Sequence, residues 1–508
     1  MEKTKNELHL LIQSLSSTEK AYFKKFAYKR KNEKDNDYFL VFDILTKQET
    51  FSETDLKRKL KNSSIIDRLP QAKKYLFDLI INTFTTNQTG DSLAASFDIE
   101  INQIRFLIDR KIINTASKRL SKLKDNILKY EALEFYTQYF QLYNSILSYN
   151  KDDEQERVNL NNEYKKVLEQ LENIRIYEHL KNLSFDLKRN KEILYIRKEE
   201  NKQIKNFVLE KDWLSKEEAA ITIRSKLLFY FIRNQVWLMS SDVEKAYKET
   251  LIQYELLKQN KDYATYNLKD FVKVMANLIR RMQNTNQFEM FDEVKTTLQK
   301  TLSKINDDTF VRVKRFELMY VDRNLNIDLF HFDEIKNILP EFIFVYNNYF
   351  KDRRDTLLTI CNDIVLTYIY LDDFENALTY INLLLNDKYL KHSKDLESYG
   401  FIIRQIILIE LKQSIFNENE YYNIKKKLYR DNKLYQIENK VLDMLEEYSL
   451  VETSKEKAKV IANYQAEILE MLKNPLQKNF LKYFQIDWWM TAKLHNKTIY
   501  QYFNKKKQ

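Results

Sequence analysis

The chain has 508 residues, of which 44% are hydrophobic, 14% aromatic and 31% charged, with a net charge of +10. It holds only two glycines and three prolines, against roughly 35 and 25 in an average chain of this length. Gly90 and Gly400 stand too far apart for a phosphate-cradling GxxxxGK loop, a GxGxxG fingerprint or a GxSxG elbow, and tight strand hairpins lose their usual turn residue. The expected fold class is therefore all-α.

The charge is uneven. Residues 1–80 carry a net +5, residues 471–508 a net +7, and the long middle a net −2. An acidic partner would meet the ends rather than the middle. The N-terminal MEKTKNELHLL has no uninterrupted apolar run, no stretch reaches the length of a membrane span, and the single Cys361 suits a reducing compartment, so a cytoplasmic protein is expected.

The first 90 residues predict short helices at about 6–14, 17–30, 37–47, 52–61 and 68–84. Ser16 with Glu19 has capping-box spacing, Ser52 with Asp55 is a related start, and Pro70 suits a first helical turn. The last three helices have the spacing of a helix-turn-helix or winged-helix core, with Leu56 and Leu60 facing Leu76, Leu79 and Ile80. Lys57, Arg58, Lys73 and Lys74 are then candidate contacts to a nucleic-acid backbone. The competing reading is a three-helix unit that opens a helical array and touches no nucleic acid. Asn32–Asp37, Thr85–Asp91 and Lys151–Glu156 are expected loops. Leu107, Ile113, Ala116, Leu120 and Leu123 form the first candidate hairpin.

Further on, an aromatic or apolar residue opens a helix and a second apolar or small residue follows three positions later. The pairs are Val243/Ala246, Phe288/Phe291, Phe332/Ile335, Phe374/Ala377 and Tyr421/Ile424, and their second members are 45, 44, 42 and 47 residues apart. A repeat of this length predicts stacked hairpins of long helices over at least residues 215–450. The stretch Tyr368-Ile-Tyr-Leu-Asp-Asp-Phe374-Glu-Asn-Ala377 resembles a tetratricopeptide repeat (TPR), with Tyr368, Phe374 and Ala377 at that family's helix-A tyrosine, turn aromatic and helix-B alanine. Val365, Leu384 and Tyr389 replace the family's glycine, small residue and proline, so the copy is degenerate. The resemblance implies an α-solenoid of antiparallel hairpins, TPR-like with a period of about 42–47, that binds a protein or peptide along its concave face without catalysis or cofactor. Arg280, Arg281, Asn284, Asn362 and Asp363, polar positions beside the buried ones on first helices, are the candidate partner-binding residues.

Three parts follow: a basic helical domain (1–90), the repeat array (91–470) and a basic aromatic C-terminal segment (471–508). In that segment Phe480, Tyr483, Phe484, Trp488, Trp489, Tyr500, Tyr502 and Phe503 alternate with lysines. They fit a capping element, an exposed partner-binding surface or a membrane-surface helix. The five histidines show no HxxH spacing, and Cys361 lies in the apolar stretch Leu357–Leu366, as a small buried side chain would. Asp372-Asp373 and Asp307-Asp308 fall in expected turns, where aspartate caps helices. The alternative function is a nucleic-acid-associated regulator whose N-terminal domain makes the contact while the array recruits a protein.

Overall fold

The computed structural model describes residues 7–28, 36–61, 63–87, 93–149, 154–189, 212–240, 242–350, 354–390, 394–412, 418–430, 434–474, 477 and 479–505. Gly90, His392, Pro475 and the expected loop residues 32–35, 88–91 and 151–153 lie outside them. Among the described residues every regular element is helical. None of these helices is long and apolar enough to cross a membrane. Contacts divide the chain into two compact units, Met1–Leu171 and Glu172–Gln508.

The first unit begins with α1 (Glu7–Ser14), α2 (Ser17–Tyr28), α3 (Asn36–Thr46), α4 (Glu53–Lys59) and α5 (Leu69–Asn87). These are close to the expected spans, although α5 runs on to Asn87, past the expected end at Phe84. Glu19 N–H donates to Ser16 Oγ (3.2 Å) and Ser16 N–H to the Glu19 carboxylate (2.7 Å), closing the reciprocal cap. Leu56, Leu60, Leu76 and Ile80 are buried in one cluster with Leu8, Ile12, Phe23 and Phe42, and Leu79 packs against it. Next come α6 (Leu93–Asp109), α7 (Ile113–Tyr130) and α8 (Tyr136–Leu147), and α9 (Glu154–Arg189) begins in this unit and ends in the second. Ala116, Leu120 and Leu123 form the buried stripe of α7, and α6 packs on α7 as the expected first hairpin.

The second unit continues through α10 (Asp212–Ser215) into paired helices. They are α11 (Ile223–Met239) and α12 (Val243–Gln259); then α13 (Lys261–Tyr266), α14 (Leu268–Thr285) and α15 (Phe291–Leu302); then α16 (Asp308–Asp328), with α17 (Phe332–Lys336) and α18 (Leu339–Asn348) sharing the second arm. The series goes on with α19 (Arg354–Tyr370) and α20 (Phe374–Asn386), α21 (Lys394–Glu410) and α22 (Glu418–Arg430), α23 (Gln436–Leu450) and α24 (Ser454–Met471). Two short helices, α25 (Ile486–Leu494) and α26 (Ile499–Phe503), end it. Each helix packs on near neighbours in the chain, and α14 also meets α16, the first helix of the next hairpin. This arrangement is compatible with a helical repeat protein.

The repeat positions read from the sequence are buried: Ala246, Phe291, Ile335, Ala377 and Ile424 are at most 7% exposed. Small or apolar residues there let the second helix of a hairpin close on the first. Several hairpins turn through the left-handed region without glycine, at Asn286, Phe330, Asp372 and Lys412, with φ of 54°, 61°, 58° and 54°. The N–H of the next residue reaches back to a carbonyl five positions earlier, as in Gln287 to Met282 (3.0 Å), His331 to Asn326 (2.7 Å) and Asp373 to Tyr368 (3.0 Å). Such bonds satisfy carbonyls a helix end leaves open, and they hold a conformation that costs an L-residue about 1–2 kcal/mol. Gly400 serves another purpose. On α21, a Cβ there would stand 2.9 Å from Leu385 Cδ2, so the missing side chain lets α20 and α21 approach.

Much of the C-terminal segment is core, although Tyr502 is exposed. Phe480, Phe484, Ile486 and Trp489 are at most 1% exposed. Tyr483 stacks on Tyr399 with centroids 4.2 Å apart, and Trp488 lies against Phe330 at 4.8 Å. Trp489 Nε1 and Lys493 Nζ both donate to Glu410, at 2.7 and 2.6 Å. Beyond them Thr498 bonds Asp372 (2.7 Å), Tyr500 bonds Asp333 (2.7 Å), and Phe332 N–H donates to Asn504 (2.9 Å). The segment thus runs back across the turns of two earlier hairpins as well as packing on α24.

Candidate functional site

First helices of successive hairpins bring polar side chains to one place. Gln283 and Asn284 from α14, Tyr320, Arg323, Asn324 and Asp328 from α16, and Asp363 and Tyr370 from α19 line a cleft of about 840 Å³. The C-terminal segment closes one side with Leu481, Tyr483, Phe484 and Gln485. The volume lies in the range of ligand pockets, roughly 300–1,000 Å³.

Arg323 organises the floor and is 3% exposed. Its Nε donates to Thr367 Oγ1 (2.7 Å), one terminal nitrogen to Asn324 Oδ1 (2.8 Å), and the other to the Asp363 backbone carbonyl (2.9 Å). Its guanidinium also lies over the Phe342 ring, 5.7 Å from the centroid. The Asp363 carboxylate has the Tyr320 hydroxyl beside it and a long contact, 3.4 Å from Arg323 to Oδ1, while the buried Oδ2 takes no hydrogen bond. A charge-assisted bond of full strength is about 2.7–2.9 Å. Burial therefore wins over the ion pair, and the Asp363 pKa rises to about 6 despite the pull of Arg323 and the Tyr320 hydroxyl. Asp328 is also raised, by burial, against a hydrogen bond from Gln283.

Of the residues chosen from sequence, Asn284 and Asp363 line this cleft. Arg280 and Arg281 lie one turn earlier on α14. The Arg280 guanidinium is 3.8 Å from Glu317, and Arg281 is 8% exposed with no hydrogen bond at Nε. Burial, with the neighbouring Arg280 charge, lowers the Arg281 pKa to about 10. Asn362 is 4% exposed and points an unbonded Oδ1 into the interior, apart from the cleft lining. Sequence reasoning missed Tyr320, Arg323, Asn324, Asp328 and Gln485, whereas Tyr483 belongs to the aromatic segment for which a partner-binding surface was one reading. The repeat itself carried a signal for one of them: Asn284, Asn324 and Asp363 recur about every 40 residues, so equivalent positions on stacked first helices meet.

The candidate nucleic-acid residues face carboxylates of their own unit. Lys57 lies 3.4 Å from Glu53, Arg58 2.5 Å from Asp55, and Lys73 3.6 Å from Glu53 and over the Phe51 ring at 5.3 Å. Hydrogen bonds from Lys59 and Gln48, with Arg58 beside them, hold the Asp55 pKa down to about 2. Lys74 is exposed. Cys361 is 2% exposed, donates to the Tyr380 carbonyl at 3.5 Å, and burial pushes its thiol up to about 12, which is the chemistry of a core side chain. Comparison with protein-family models, with curated proteins and with solved structures returned no match.

Proposed function

We propose that residues 172–508 form a degenerate TPR-like α-solenoid, a non-catalytic scaffold whose concave face binds an extended peptide or protein segment. The observation that carries this reading is the lining of the cleft. Four side-chain amides (Gln283, Asn284, Asn324 and Gln485) stand among tyrosines and apolar residues. Gln283, Asn324 and Gln485 also bond within the chain, to Asp328, Arg323 and Leu481, and the remaining amide N–H and C=O groups, with those of Asn284, match the C=O and N–H that each residue of an extended peptide presents. Aromatic walls supply contact area around those bonds. The buried Ala377 and its equivalents support the repeat assignment.

The test is retention of fluorescent peptides from a random octapeptide library by the full-length protein, read by polarisation. Replacing Asn284 and Asn324 together by alanine is expected to weaken retained peptides about tenfold or more, as loss of two or more hydrogen bonds implies. Retention unaffected by that change would remove the cleft from the account. The nucleic-acid alternative draws less support, because Lys57, Arg58 and Lys73 are already matched by Glu53 and Asp55.

A further inference from the structure

We infer that the cleft seats a basic side chain of the bound peptide, a lysine ammonium or an arginine guanidinium, against the carboxylate of Asp363. This rests on the peptide-binding reading and specifies its ligand. Two features of the lining point the same way. Arg323 directs four of its five N–H groups at Thr367, Asn324 and Asp363, which leaves at most one for an anionic ligand. Asp363 is among the lining residues, is 6% exposed, and its buried Oδ2 has no donor. An unmet buried acceptor gains most from an incoming N–H, and most of all from a charged one.

The charge balance agrees. Two carboxylates, Asp328 and Asp363, stand against the one guanidinium of Arg323, which leaves the lining with a formal charge of −1. Tyr320, Tyr370 and Tyr483 line the same cleft, each stacked on another ring of the chain, and an aromatic lining favours a cation over an anion. A cation that enters the cleft thus meets carboxylates and aromatic side chains. A neutral side chain of equal length would leave Oδ2 unmet, and an acidic one would face two like charges.

The experiment is a positional-scanning array of N-acetylated octapeptides on the full-length protein, so that only side chains supply cations. Lysine or arginine is expected to be enriched at one position. Its replacement by norleucine, an uncharged side chain that keeps the carbon stem of lysine, should weaken binding about tenfold or more. Asp363→Asn, with its fold checked by near-ultraviolet circular dichroism, should bind the lysine and norleucine peptides equally. Peptides retained without basic preference, or a preference that survives Asp363→Asn, would overturn the inference and leave the peptide-binding reading standing. The lysine-to-norleucine comparison on the unaltered protein decides the case even where Asp363→Asn does not fold, because equal affinity there overturns the inference. An array from which no peptide is retained overturns the peptide-binding reading and this inference with it.

Discussion

Replacing Lys493 by methionine tests how the C-terminal segment is held. Lys493 and Glu410 are an ion pair at 2.6 Å with side chains only 10% and 6% exposed, and Glu410 takes its other bond from Trp489. Methionine keeps most of the stem volume, so the main change is electrostatic: a buried carboxylate loses its counter-charge and keeps one neutral donor. Breaking such a pair from one side costs about 3–5 kcal/mol. The double variant Glu410→Gln/Lys493→Met removes both charges and leaves a carbonyl for Trp489, so it should recover most of that loss. Urea unfolding followed by tryptophan fluorescence is the assay, since Trp488 and Trp489 both belong to the segment. A loss below about 1 kcal/mol for Lys493→Met, or a double variant no more stable than the single one, would refute the reasoning.

Three other outcomes are expected. Burial raises the Asp363 pKa from 3.8 to about 6, so its stability contribution is complete below pH 3.8 and fades as the pH climbs through 6. Between pH 5 and 7 this amounts to about 1 kcal/mol, and calorimetry should show that slope reduced in Asp363→Asn; parallel pH profiles would contradict it. Lys111→Gly and Lys412→Gly, each at an exposed left-handed position with φ of 59° and 54°, should raise stability by about 0.5–1 kcal/mol. That gain is the relief of left-handed strain less the extra entropy of glycine in the unfolded chain, and a lower urea midpoint would count against it. Ala377→Leu places extra methylenes where a fully buried alanine faces the preceding helix, and should cost about 1–3 kcal/mol in the same assay. No loss would mean that α19 and α20 do not pack closely there.

Helices were legible in this chain because apolar spacing and capping side chains are local signals. Ser16 with Glu19 and Thr453 with Glu456 both form their reciprocal bonds. The turn pairs from Val243/Ala246 to Tyr421/Ile424 were legible for the same reason, since a buried residue just inside a second helix recurs with each hairpin. Helix ends were not. Phe330 and Lys412 adopt the left-handed conformation with side chains that carry no preference for it, so tertiary contacts and backbone bonds decide the geometry. Asn284 and Asp363 could be picked as polar residues on first helices, but that they share a cleft depends on stacking between hairpins. Arg323 gave no local sign, because a buried arginine resembles a surface one until its partners are known. The C-terminal aromatics fitted three readings from composition alone; bonds to Glu410, Asp372 and Asp333 far back in the chain hold the segment in place, with Phe480, Phe484 and Trp489 in the core and Tyr502 exposed.

The most direct test of the central claim is to photo-crosslink a retained octapeptide carrying benzoylphenylalanine to the full-length protein and locate the adducts by mass spectrometry. The account predicts adducts on first helices and the C-terminal wall, within residues 283–284, 320–328, 363–370 and 481–485. Adducts confined to residues 1–171, or to the second helices of the hairpins, would contradict it.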